Sequence, residues 1–367
     1  MPQRAGGPSP AGAFFDTGFT TIDSLLAVSL LYGLQGKSDC KVAAIAMSRP
    51  NLDVAGFVDM VQRTYHGPAG NFAQLPPIGV PEKGEPGTTS PAFVKPFEEK
   101  QADGTPVYKN TVRSLVDTAD PGTLFRNYLE AFHDGDAFFV LAGPATNLAA
   151  LLDMPGVKKL IAAKVQRLVI AGGAFPSGAP DPNFRADVPA VRKVLAEWPT
   201  PIVAAGQEVG AALPFPGASI DKEFEEAMPG NPVARAYRAY QAMPYDAPSY
   251  ALSAALYAAR PKAGYFKLSD PGKISVDDSG RAVFTASAEG QHNYLIADAS
   301  QKDAITQAFV ELASAKPEVR RFRGPQQLQQ RPQQPQQQQT RQRLQVQPQA
   351  APNEPAVAAP EAAAPNQ

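Results

Sequence analysis

Apolar positions along this chain fall into short unbroken runs separated by stretches of helical spacing. Ala13–Phe15 reads as the end of a short strand, and Ser24–Leu34 follows with apolar residues at helical spacing. Val42–Met47 is strand-like and Val54–Tyr65 helical. Ala137–Ala142 (AFFVLA) is a strand, and Leu148–Leu152 begins a helix. Leu168–Ala171, Val188–Trp198 and Pro201–Ala205 read as strand, helix and strand. Continuous apolar strands of this length are buried on both faces. Their alternation with helices predicts an α/β fold, an open, mostly parallel sheet with helices on both faces. The segment 264–296 differs, because a DDSG turn between alternating runs predicts a small β-hairpin region. The stretch 68–110 is rich in Pro, Gly, Lys and Glu and reads as a long loop or lid.

Composition changes after Gly324. Residues 325–367 hold 15 Gln and 8 Pro, with Leu328, Leu344, Val346 and Val357 as their aliphatics outside Ala. So little apolar area does not offset the entropy of ordering, which predicts a disordered tail. It is expected to be a solvating tail, or a weak interaction tail using polyproline-like segments, its partner unknown. The expected domains are a flexible N-terminus (1–12), one domain (13–324) and the tail (325–367).

Charge and rare residues narrow the function classes. Lys+Arg total 34 against 35 Asp+Glu, a net charge of −1, so binding of nucleic acid through its phosphates is not expected. A single cysteine, Cys40, excludes an internal disulfide framework and a Cys-rich zinc site. His133 and His292 sit in polar contexts and read as surface or loop residues. His66 falls at a helix end, where the dipole favours it. No apolar run is long enough to span a membrane. The opening MPQRAGGPSPAG shows no leader. The expectation is a cytoplasmic protein, or an exported one if a leader is missing from this chain.

Chemistry in such sheets gathers at the carboxyl ends of the strands. Five loops fall there. FFDTGFTTIDSLLAV places Asp16 at a strand end and Asp23 at a helix start, where an acid also suits the helix dipole. LAGPATNLAALL opens a helix with Thr146 and Asn147, residues that also serve as caps. LVIAGGAFPSG carries Gly172 and Gly173, with PDPNFRADVPA behind it. AAGQEVG brings Gly206, Glu208 and Gly210, and DAPSYALSAALYAARP is a helix with Ser249 and Tyr250 at its start.

In order and wording these loops resemble the nucleoside hydrolase family of inosine/uridine-preferring type, from about Phe14 to Ile296. GPATNLAALL is similar to the family's Gly-Pro-Leu-Thr-Asn-Leu-Ala motif, and VIAGGAF to its Met-Gly-Gly-Ala segment, with Ala171 in place of Met. PDPNFRADVPAV resembles its Glu-Phe-Asn stretch, and EWPTPIVAAGQEVG and NPVARAYRAY resemble one branch. The resemblance implies hydrolysis of the N-glycosidic bond of ribonucleosides on an open α/β sheet. It also implies Ca²⁺ held by clustered Asp residues, a Thr carbonyl and a late Asp, one Asp acting as base toward the bound water. Family members commonly form dimers or tetramers, so a homo-oligomer is expected.

Carried over residue by residue, the resemblance implies Asp16 as the catalytic residue. It places Asp23, Asn147, Asp181 and Asn183 on the substrate, and Asp16, Asp23 and Thr146 on the metal. The family's opening is roughly Asp-Thr-Asp-x-Gly, then Ile-Asp-Asp. Two registers stay open: Asp16-Thr17 on the first pair, with Gly18 at the base position, or Asp16-x-Gly18 with Asp16 as the base. The Asp-Asp pair has become Asp23-Ser24, and the late metal Asp stands at Ala251. Asp246 substitutes only if its loop is re-routed. Asp181 is one methylene shorter than the family's Glu. These replacements predict a calcium site weak or absent, and hydrolysis weakened or lost. The alternative is a catalytically silent ligand-binding or scaffold protein on the same fold. A third reading is an α/β protein of another kind, using the first cleft for a different ligand.

Overall fold

The structure, a computed structural model, describes residues 10–66, 75–86, 90–175 and 178–316. The tail 325–367 lies outside the described residues. Ten strands form one sheet: β1 (Ala11–Thr17), β2 (Cys40–Met47), β3 (Ile78–Gly79), β4 (Ala137–Ala142), β5 (Val165–Ala171), β6 (Ile202–Ala205), β7 (Phe266–Leu268), β8 (Gly272–Val276), β9 (Ala282–Ala286) and β10 (His292–Ala297). Their order is β3-β2-β1-β4-β5-β6-β10-β8-β9, with β7 pairing β10. All pairs from β3 to β10 are parallel, while β10–β8, β8–β9 and β10–β7 are antiparallel. The sequence thus folds as an α/β chain on a mostly parallel sheet, with the hairpin where DDSG predicts it. Asp277 Oδ1 closes that turn by accepting the N–H groups of Ser279 (2.9 Å) and Arg281 (3.0 Å).

The first seven helices in chain order are α1 (Ile22–Gly36), α2 (Leu52–His66), α3 (Lys95–Glu98), α4 (Pro121–Glu130), α5 (Thr146–Asp153), α6 (Val157–Lys164) and α7 (Pro182–Ala186). The remaining six are α8 (Val188–Glu197), α9 (Gln207–Ala212), α10 (Glu225–Ala227), α11 (Pro232–Tyr240), α12 (Tyr250–Ala259) and α13 (Lys302–Ala313). The sheet is apolar on both faces and each face has its own core. One core holds α1, α2, α11, α12 and α13, and the other α4, α5, α6 and α8. Helices α1 and α12 are apolar nearly all round and are buried accordingly. No helix among the described residues is long and apolar enough to cross a membrane.

Three expectations change. Strand β1 starts at Ala11, so Ala11 and Gly12 belong to the sheet and not to a flexible N-terminus. The described part of 68–110 is no simple loop: it adds β3 to the sheet edge, and its Phe93 is fully buried against Phe19 and Phe57. His292 is not a surface residue. It lies in β10, 8% exposed, with its Nδ1 accepting the Ile274 N–H at 2.9 Å, and burial pushes its pKa down.

Helix α1 is held to α13 at a point of backbone contact, where a Cβ on Gly33 would run into the Leu312 carbonyl oxygen. Backbone cannot yield as a side-chain tip does, so Gly33→Ala should lower stability by about 1–3 kcal/mol. Urea unfolding at constant m-value checks this, and an unchanged midpoint would refute the close approach.

Candidate functional site

Asp16 is the penultimate residue of β1, level with Leu141 of the neighbouring strand. The pleat that buries Phe15 on one face turns Asp16 to the other, and its side chain is fully buried. Its Oδ1 accepts a hydrogen bond from Ser48 Oγ at 2.7 Å and one from Asn147 Nδ2 at 3.2 Å. Its Oδ2 is buried with no partner. Burial raises the Asp16 pKa to about 7, with the Ser48 and Asn147 bonds pulling the other way. Asn147 also donates to the Met47 carbonyl at 2.9 Å, which fixes its amide between β2 and Asp16. The structure therefore brings Asp16 and Asn147 together. Ser48 was missed in the sequence; its one signal was its place directly after an apolar strand.

Beside this trio, Thr17 Oγ1 lies 2.9 Å from Ser24 Oγ and 3.1 Å from the Ala142 carbonyl oxygen. Asp23, next in the first turn of α1, points to a different partner. Its Oδ2 accepts the Ala251 N–H at 2.6 Å and its Oδ1 the Leu252 N–H at 3.1 Å. These are amides of the first turn of α12, which have no partner within their own helix. Asp23 thus caps α12 from another element. Burial raises its pKa to about 7, and the α12 amides act against that.

The remaining predicted residues lie elsewhere. Thr146 is exposed, and its Oγ1 donates to Asp187 Oδ2 at 2.7 Å, at the start of α8. Asp181 Oδ1 caps α7 through the Asn183 and Phe184 amides (2.9 and 3.1 Å). Its Oδ2 accepts from Gly173 N–H at 3.0 Å and Gln207 Nε2 at 3.1 Å. Asn183 is half-buried and takes part through its backbone N–H. Asp246 accepts the Gly217 N–H at 2.9 Å. Two cavities, of about 770 and 460 Å³, are lined by neither Asp16 nor Asp23.

Calcium takes six to eight oxygen ligands, and its affinity follows carboxylate charge. Of the carboxylates the resemblance assigns, Asp16 keeps one buried oxygen unpaired and Asp23 is committed to backbone amides. Among the described residues no three His, Cys, Asp or Glu side chains stand together to hold a metal. The donors present do not fit calcium.

The burial of Asp16 affects stability. A carboxyl that titrates near pH 7 in the fold and near 4 when unfolded binds more protons folded. Its contribution is fully present below about pH 4 and is lost as pH rises to about 7. Asp16→Asn removes that loss. The stability of the variant relative to the parent should rise by about 2–4 kcal/mol between pH 4 and pH 8. Parallel denaturation curves at the two pH values check it, and a pH-independent difference would contradict the burial argument.

No protein-family model and no curated protein sequence matches the chain. Solved structures do match. An inosine-guanosine nucleoside hydrolase superimposes with a TM-score of 0.62 at 17% identity, over 83% of this chain and 99% of its own. The inosine-uridine preferring nucleoside hydrolase of Bacillus anthracis gives 0.59 at 16% identity, over 83% and 99%. The type III effector protein XopQ, solved with adenosine diphosphate ribose, gives 0.52 at 13% identity, over 83% and 93%. The chain has a nucleoside hydrolase-like fold.

Proposed function

We propose that this chain keeps the nucleoside hydrolase scaffold, has lost calcium-assisted hydrolysis, and binds a nucleoside or ribose-like ligand without turning it over. The observation that carries the proposal is the capping of α12 by Asp23. N-glycosidic cleavage develops positive charge on the sugar and needs an activated water beside it. A cation that orients both water and ribose requires several free carboxylates, and here only Asp16 among the assigned acids has an unpaired oxygen. Ligand binding asks for less. Asp16 Oδ2 accepts a sugar hydroxyl, with Ser48 and Asn147 holding the carboxylate still. XopQ, whose structure contains adenosine diphosphate ribose, is a fold relative that holds a ribose-bearing molecule.

The test uses the full chain with inosine, uridine, adenosine and free ribose, in calcium and in chelator. The expected result is calorimetric binding of at least one ribonucleoside that calcium does not alter, with no release of base. Calcium-dependent release of base would overturn the proposal. A second reading rests on Asp16 itself, since a carboxyl titrating at about 7 suits a general base at neutral pH. Base release that persists in chelator and disappears in Asp16→Asn would establish that reading.

A further inference from the structure

Among the described residues two buried side-chain oxygens have no hydrogen-bond partner: Asp16 Oδ2 and Glu208 Oε1. Buried polar atoms are almost always paired, and each unpaired one on a native protein calls for an explanation. Both acids stand at the carboxyl end of the parallel strands. Strand pairing sets Asp16 level with Leu141, Leu141 with Ile170 and Ile170 with Ala204. Glu208 follows Ala204 in the first turn of α9, past the end of β6. The two carboxylates therefore flank the carboxyl ends of β1, β4, β5 and β6, where ligands of open α/β sheets bind.

Glu208 is held in place by its other oxygen. Oε2 accepts the Phe175 N–H at 2.9 Å. The next residue back, Gln207, is tied to the same β5–α7 loop through Gly173 O (2.9 Å) and Asp181 Oδ2 (3.1 Å). Gly206 makes room, since a Cβ there would overlap the Glu208 carboxylate. Pinning Phe175 accounts for one oxygen of Glu208 and leaves the other unexplained.

We infer that Glu208 is a recognition residue for the ligand whose sugar meets Asp16, and that Oε1 accepts a hydrogen bond from a donor at the ligand's far end. This rests on the binding proposed above and adds a second contact to it. Three strand spacings, roughly 14 Å, separate β1 from β6, and a free pentose is too short to cross them. The donor is either an N–H of the base or the hydroxyl on the 5′ carbon.

Calorimetry on the full chain separates these with three ligands: inosine, purine riboside (which lacks the base N–H) and 5′-deoxyinosine. Glu208→Gln keeps the shape and an acceptor for Phe175, and presents a donor where Oε1 was. The variant should bind inosine roughly ten- to a hundredfold more weakly than the parent, at unchanged melting temperature. One analogue should show the same loss in the parent and no further loss in the variant, which identifies the donor. Unchanged inosine affinity in the variant, or an equal loss for all three ligands, would overturn the role of Glu208. Failure of the unmodified chain to bind inosine would overturn the underlying reading too, and is read before any substitution is made.

Discussion

Asp23→Ala is expected to destabilise the chain by about 3–5 kcal/mol at pH 6. The substitution leaves the Ala251 and Leu252 amides buried and unpaired, each at a cost of about 1–3 kcal/mol. The pH matters. Above about 7 the deletion also relieves a buried charge, which offsets part of the loss. At pH 6 the carboxyl is largely protonated and its oxygens still accept, so the full cost shows. For a chain of this size the melting temperature should fall by roughly 6–15 °C. Asp23→Asn keeps one acceptor and should fall between the two. An Asp23→Ala melting temperature within a degree or two of the parent would show that α12 does not depend on this cap, and with it the main support for a metal-free site would go.

The second prediction runs in the opposite direction, toward restoring a site. Calcium should leave the melting temperature of the parent chain unchanged. Gly18→Asp with Ser24→Asp places two carboxylates beside Asp16 on the same loop and helix start. Position 18 has space, because a Cβ there meets Pro144 and Thr20 at 3.6 Å, an ordinary contact. Without metal the double variant should be less stable than the parent, since like charges crowd a buried position. In 10 mM calcium it should recover about 1.5 kcal/mol, the linkage expected for a site of roughly millimolar affinity. Thermal melts in calcium, magnesium and chelator check this. A double variant as indifferent to calcium as its parent would mean that the loop geometry, and not the missing charge, keeps metal out.

The central strands were legible because burial on both faces leaves long unbroken apolar runs in them. AFFVLA was bounded to the residue, as β4. Asp16 was legible for a related reason, as an acid at the end of an apolar run. Ser48 occupies the equivalent place after β2 and was passed over, because a serine there is ordinary until a carboxylate is found opposite it. The partners of Asp23 were out of reach of any local pattern: they lie 228 and 229 residues away, and backbone amides carry no sequence signature. His292 lies in a strand with polar neighbours, and its ring meets the backbone of β8, which pairs beside it.

The position of β1 has a further consequence, for the order in which the protein can be completed during synthesis. β1 leaves the ribosome first among the strands yet lies inside the sheet, between β2 and β4. Its contact with β4 waits 125 residues, and the capping of α12 by Asp23 waits 228. At the usual 5–20 residues per second that second interval is on the order of 10–45 s. Through all of it the apolar α1 and the acids that open the site are without their final cover. The site therefore closes among the last events of biogenesis. A chain stopped before α12 would present α1 as an exposed apolar helix, a surface for chaperones to hold.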